Sequence, residues 1–191
     1  MANIELLYKL IIRDEKGNIE KETEEIPAKS FTLYFLTAFW AMISHTTQGV
    51  KNILGVNQGW IAGNNMSANG ASGNIYEGLV VGSDDTAEAV TDYTLNTQIA
   101  EGSAAGQLQY GLCAFNAPVE EGGAVDLYLT RTFVNNSGGN VTIKEMGFYM
   151  QQGSNSNSTY ARCIIRDILQ TPEVIADTKQ LTVQYILRTQ N

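Results

Sequence analysis

From Ile75 onward the chain is a succession of short apolar runs cut apart by turn residues, and this rhythm constrains the fold more than any other feature. The runs are "IYEGLVVG", "QLQYGLCAF", "AVDLYLTRTFVN", "VTIKEMGFYM", "YARCIIRDIL" and "KQLTVQYILRT". Each has the length of a strand, and Gly, Asn, Ser and Asp stand between them. Only "SDDTAEAVTDYTLNTQIAEGSAAG" leaves room for a short helical turn, within what is otherwise a loop. Strands so punctuated predict a mainly β fold, an antiparallel β-sandwich of Greek-key or jelly-roll type, rather than a parallel sheet. No internal repeat supports a solenoid or propeller.

The residues before this region read differently. "IELLYKLIIRD", the turn "EKGN" and "IEKETEEIPAKS" predict a β-hairpin, with Gly17 and Asn18 able to take the positive φ of a tight turn. "SFTLYFLTAFWAMISHTT" then predicts a helix of about four turns from an N-cap at Ser30 to His45. It is apolar in almost every direction, so it must be buried deeply or packed on two partners. Contact with a neighbouring subunit is the sharper expectation, with Phe31, Tyr34, Phe35, Phe39 and Trp40 as the contact residues. The Gly-, Asn- and Ser-rich stretch that follows predicts a long irregular connection pinned by Trp60, a further candidate contact. The expected organisation is a hairpin and helix forming an arm over residues 1–48, a loop over 49–74 and a sandwich domain over 75–191.

Composition narrows the function classes. The chain has 191 residues, 43% of them hydrophobic and 17% charged, which suits one folded core with a surface of Asn, Ser, Thr and Gln. A net charge of −8 opposes the many phosphate contacts on which nucleic-acid binding rests. The opening residues "MANIELLYKL" lack a secretory pattern, and no apolar stretch approaches a membrane span, so synthesis in a cytoplasm and no membrane partner are expected.

Candidate chemistry is sparse. His45 is the only histidine and sits where a cation would cap a helix C-terminus. Cys113 and Cys163 lie in apolar runs, where a thiol serves as a small hydrophobe, and together with one histidine they supply too few zinc ligands. Serine-hydrolase, zincin and P-loop motifs are missing from the sequence. Asp84 with Asp85, or Glu120 with Glu121, could in principle supply a glycosidase acid and base, but sequence does not fix the separation of two carboxyls, and adjacent acids are normally solvated loop residues. The oxygen donors of "GSDDT" could serve calcium, or equally an Asx turn. No catalytic residue, cofactor or metal is therefore expected.

The residues that remain form a familiar succession. "GLVVGSDDTAEAVTDYTLNTQI", then "RTFVNNSGGNVTIKEMGFYM", then "YARCIIRDILQTPEVIADTKQLTVQYIL" resembles small virion structural proteins of tailed bacteriophages, and is similar in plan to the particle-attaching domains of tail-collar fibre proteins. The resemblance covers about residues 75–190. It implies a loop at Gly82, Thr86 and Ala87, a packing segment at Tyr93, Leu95 and Ile99, and a hairpin carrying Asn135, Gly138, Glu145, Gly147 and Tyr149. It further implies a non-enzymatic structural protein of the virion, made in the host cytoplasm, whose partners are further copies of itself and other virion proteins. A tail, neck or fibre-attachment position, a capsid-decoration or head-fibre role, and a carbohydrate- or receptor-binding module for a host-surface glycan all stay open. For the last, Trp60, Tyr76 and Tyr160 are the candidate aromatics.

Within "VTIKEMGFYM" both faces mix polar and apolar residues. Glu145 is expected to be a buried acceptor of backbone amides or of an arginine such as Arg162, and Gly147 to admit a close neighbour.

Overall fold

The computed structural model describes residues 3–28, 31–44, 47–60, 66–152 and 157–190. Thirteen strands and one helix follow in order: β1 (Asn3–Arg13), β2 (Ile19–Glu22), β3 (Ile26–Pro27), α1 (Leu33–Ser44), β4 (Gln48–Lys51), β5 (Asn57–Trp60), β6 (Met66–Ser67), β7 (Gly78–Gly82), β8 (Gln109–Phe115), β9 (Val119–Glu121), β10 (Ala124–Val134), β11 (Val141–Gln152), β12 (Ala161–Ile175) and β13 (Gln180–Gln190). The chain is mainly β, an antiparallel sandwich with a single helix. One sheet runs β2-β1-β13-β10-β8, with β3 also on β1 and β9 also on β10; a second joins β12, β11, β6 and β7, and β4 and β5 form a small third.

The alternation along β10 and β13 places Leu129, Phe133, Leu181, Val183 and Tyr185 in the core, as period-two side chains require. The second sheet has no exposed face along β7 and β11: β11 alternates only between buried and half-buried positions, because both of its faces are covered. β7 reads "GLVVG" and is buried at every position, while β11 packs Phe148 toward the first sheet and turns Glu145, Gly147 and Tyr149 toward the segment 92–97. That double cover is why both faces of "VTIKEMGFYM" carry mixed residues.

Four expectations change here. The "NNSGGN" turn is not a hairpin: β10 and β11 belong to different sheets, so the turn is a corner where the chain crosses the sandwich. β12 crosses back to β13, which lies beside β10, and this return is the Greek-key pattern. Asn135 ties the two corners together. Its amide donates to Lys179 O, its carbonyl accepts from Thr178 N, and its side chain donates to Ile175 O and Gly139 O. Gly138 takes a φ of 78° within this corner, a conformation natural to glycine.

The first strand is no detached arm. β1 pairs with β13 at every position from Asn3 to Arg13 and so is an inner strand. Its predicted hairpin partner is short, because after four residues of β2 the chain leaves β1 and returns only as β3. The stretch 49–74 is likewise more regular than its glycines suggest. β4 and β5 form a hairpin whose turn is held by Asn52, with Oδ1 accepting from Leu54 N and Val56 N. The helix begins at Leu33, after Phe31 has bridged to Ile165 of β12; the expected cap Ser30 and end residue His45 lie outside the described residues.

Candidate functional site

Among the described residues three arginines and five carboxylates are buried, and the arginines organise the connections between the sheets. Arg131 on β10 is fully buried and donates five hydrogen bonds, all to backbone carbonyls: Nε to Gly111, Nη1 to Glu77 and Leu79, Nη2 to Ala71 and Asn74. The fork geometry of guanidinium allows this spread. Burial lowers its pKa from the ordinary arginine value, partly offset by nearby Cys113 and Tyr110, and the cation lies 4.9 Å from the Tyr110 ring centroid. Arg131 thus staples the connection 71–79 onto the first sheet.

Arg166 on β12 does the same for the segment after β7. Its Nε donates to Glu145 Oε2 at 2.9 Å, Nη1 to Asp92 Oδ2 at 2.8 Å and Nη2 to the Thr86 carbonyl at 2.9 Å. Burial by itself would lower the Arg166 pKa, but Asp92 and Glu145 hold it above its ordinary value. Glu145 also accepts from Asn96 N and Thr97 N, and the Tyr149 hydroxyl accepts from Leu95 N at 2.8 Å. The expected backbone-amide role of Glu145 is present, but its arginine is Arg166. Arg162 stands farther along β12, donating to the carbonyls of Thr159 and Ala161, with burial pulling its pKa down to about 10.

The expected loop and hairpin glycines are explained by this lock. A Cβ on Gly82 would lie 2.7 Å from Glu145 Cγ, and one on Gly147 would lie 2.9 Å from Leu95 Cδ2. Thr86 is exposed and contributes its carbonyl to Arg166 and its amide to Asp84 Oδ1.

The carboxylates considered for chemistry are occupied or solvated. Asp84 closes an Asx turn on Thr86 and accepts from Asn96 Nδ2; bonds from Thr86 and then Asn96 hold its carboxyl down to about 2. Asp85 pairs with Lys144, and Glu120 and Glu121 are exposed on β9. Among the described residues no group of three His, Cys, Asp or Glu side chains could hold a metal ion. Cys113 and Cys163 are both buried free thiols, and burial raises the pKa of each. Among the described residues no helix is long and apolar enough to cross a membrane.

What remains is an apolar cleft at the end of the sandwich opposite the two corners, with α1 standing beside it. It has two adjoining parts, of about 90 and 250 Å³, which share Phe35, Phe115, Leu127, Phe148 and Ile164. The larger part is completed by Ala38, Phe39, Met66 and Met150, so every wall is apolar. Lined by no titratable group, this larger part can exclude water and hold apolar matter.

The helix splits into two faces. Tyr34, Ala38 and Ala41 are buried with Val50 of β4, while Phe31 and Phe35 are half-buried and stack at 4.2 Å between centroids. Tyr34 therefore belongs to this chain's own core rather than to an outward contact. Leu33, Leu36, Phe39 and Trp40 are 51%, 62%, 50% and 50% exposed. No residue of the helix is charged. Trp60 ends β5, and its side chain lies outside the described residues.

Sequence reasoning reached α1 but missed the cleft and the two arginine staples. An arginine inside an apolar strand run, "LYLTRTFV" or "ARCIIRDI", was the available signal. The cleft had none, since its walls come from seven strands and the helix.

No protein-family model, curated protein or solved structure matches the chain.

Proposed function

We propose that this chain is a non-enzymatic structural component of a tailed-phage virion that assembles, with itself and with other virion proteins, through α1 and the adjoining cleft. One observation carries the reading: the uncharged helix exposes Leu33, Leu36, Phe39 and Trp40 beside an apolar cleft on a chain of net charge −8. Contiguous apolar patches are uncommon on monomers and mark interaction surfaces. The buried charged side chains support the same reading, because they hold the chain's own backbone and one another. The resemblance of residues 75–190 to small virion proteins supplies the particle as the setting, at a tail, neck, fibre-attachment or capsid-decoration position.

The test is absolute mass by light scattering over a dilution series, for the native chain and for Leu36→Ser, Trp40→Ser. The expected result is a mass of twice 20.9 kDa or more that the double variant breaks while its circular dichroism stays β-rich. A native chain that is monomeric at every concentration overturns self-assembly.

A receptor-binding module is the second reading. It rests on Gln151 and Gln152, which draw the backbones of Tyr76 and Tyr160 to one end of β11. Glycan-array binding abolished by Tyr76→Ala or Tyr160→Ala would favour it.

A further inference from the structure

Resting on α1 as an assembly face, we infer that the occupant of the cleft is a second copy of this chain, which inserts its Trp40, flanked by Leu36, between Phe39, Phe115 and Met150. The same patch holds a projecting half and a receiving half. Trp40 and Leu36 stand half or more exposed one turn apart, and Phe39, the next residue on the helix, is itself half exposed and forms a wall of the cleft. A projection beside a hollow on one surface is what a two-fold contact needs, because each copy must supply both.

The dimensions agree. The larger part of the cleft has a volume of about 250 Å³, the share of roughly eight waters in the liquid, and none of its walls offers those waters a side-chain hydrogen bond. An indole removes that unfavourable hydration and buries its own face in the same step. The area also agrees. With about half of each exposed, Leu33, Leu36, Phe39 and Trp40 present roughly 400 Å². That is about half of the ~800 Å² each partner contributes to a standard interface. The cleft mouth and Val90, whose carbonyl bonds Leu33 N and whose side chain is 71% exposed, extend the same patch.

Charge selects the occupant. A chain of net charge −8 repels its own copies over most approaches, and an acidic or basic partner would find nothing on α1 to pair with. The uncharged helix face is where two such chains can meet without desolvating a charge, and the matching surface of that chemistry is the same face on another copy.

The experiment separates insertion from unspecific apolar sticking by mixing two variants in sedimentation equilibrium. Trp40→Ala removes the projection and keeps the cleft; Leu127→Trp fills the cleft and keeps the projection. Each alone loses both insertions of the two-fold contact and is expected to dissociate roughly 1,000-fold more readily than the native chain, about 30-fold for each aromatic hot spot. Mixed in equal amounts they are expected to pair more tightly than either does alone, because one native insertion is restored. If Leu127→Trp does not fold, Met150→Trp fills the cleft from the second sheet. Weakening of both variants without rescue overturns the insertion while leaving assembly through α1 intact. A native dimer that neither variant weakens overturns the insertion too. A native chain that never associates overturns both the insertion and the assembly reading.

Discussion

Arg131 shows how much one side chain organises. Its five carbonyl acceptors come from Gly111 on β8, from Ala71, Asn74 and Glu77 in the connection, and from Leu79 on β7, so it joins elements of both sheets without a carboxylate partner. Arg131→Met leaves those carbonyls facing an apolar chain, and we expect a loss of about 3–5 kcal/mol in denaturant unfolding. Arg131→Lys keeps the charge but radiates three donors from one nitrogen, so it should recover only part, with a loss of about 2 kcal/mol. Both variants unfolding within about 0.5 kcal/mol of the native chain would refute the staple. At this scale the sequence was partly legible. Glu145 and Gly147 stood out because a buried acid and a strand glycine break the pattern, and both are found against the 92–97 segment. Choosing Arg166 over Arg162 was not legible, because two arginines four residues apart on one strand differ only in what the fold brings opposite them.

At the scale of elements, the segment after β7 has little regular structure and is held by side chains from β11 and β12. Its turn depends on Asp84, whose carboxyl is depressed to about 2 from an ordinary 3.8 by Thr86 and Asn96. Because the folded value lies below the unfolded one, the stabilisation is fully present above about pH 4 and is lost as pH falls toward 2. The protection of the Thr86 amide, its exchange rate relative to the intrinsic rate at the same pH, should therefore fall over that window before the core strands open, and Asp84→Asn should remove that change. Thr86 protection that stays constant from pH 4 to 2 would contradict the assignment. The helix was legible as an apolar run without Gly or Pro. Which of its faces is covered was not, since Tyr34 and Trp40 look equivalent in sequence and only the packing of α1 on β4 and β12 distinguishes them.

For the whole molecule, the decisive pairing joins the two ends of the chain. β1 and β13 are in register over eleven positions, from Asn3 with Gln190 to Arg13 with Gln180. Closing a loop of nearly the whole chain is entropically unfavourable until the first sheet is in place, so refolding from guanidinium should take milliseconds to seconds or longer, not microseconds. Deleting residues 1–13 should leave a chain without cooperative unfolding, because β13 loses one neighbour and the core loses Tyr8, Leu10 and Ile12. Cooperative melting of that truncated chain would show β1 to be dispensable.

The sequence by itself determined the strand runs, their antiparallel sandwich, the single helix and the scarcity of reactive groups, because period-two patterning, turn residues and residue chemistry are local properties. Tertiary structure alone decided that "NNSGGN" is a corner between sheets, that the first strand lies inside a sheet, and that six apolar side chains from five strands meet Phe35, Ala38 and Phe39 of the helix at a cleft. Those outcomes depend on which strands become neighbours across long separations, and side-chain alternation says which way a residue faces, not what it meets there.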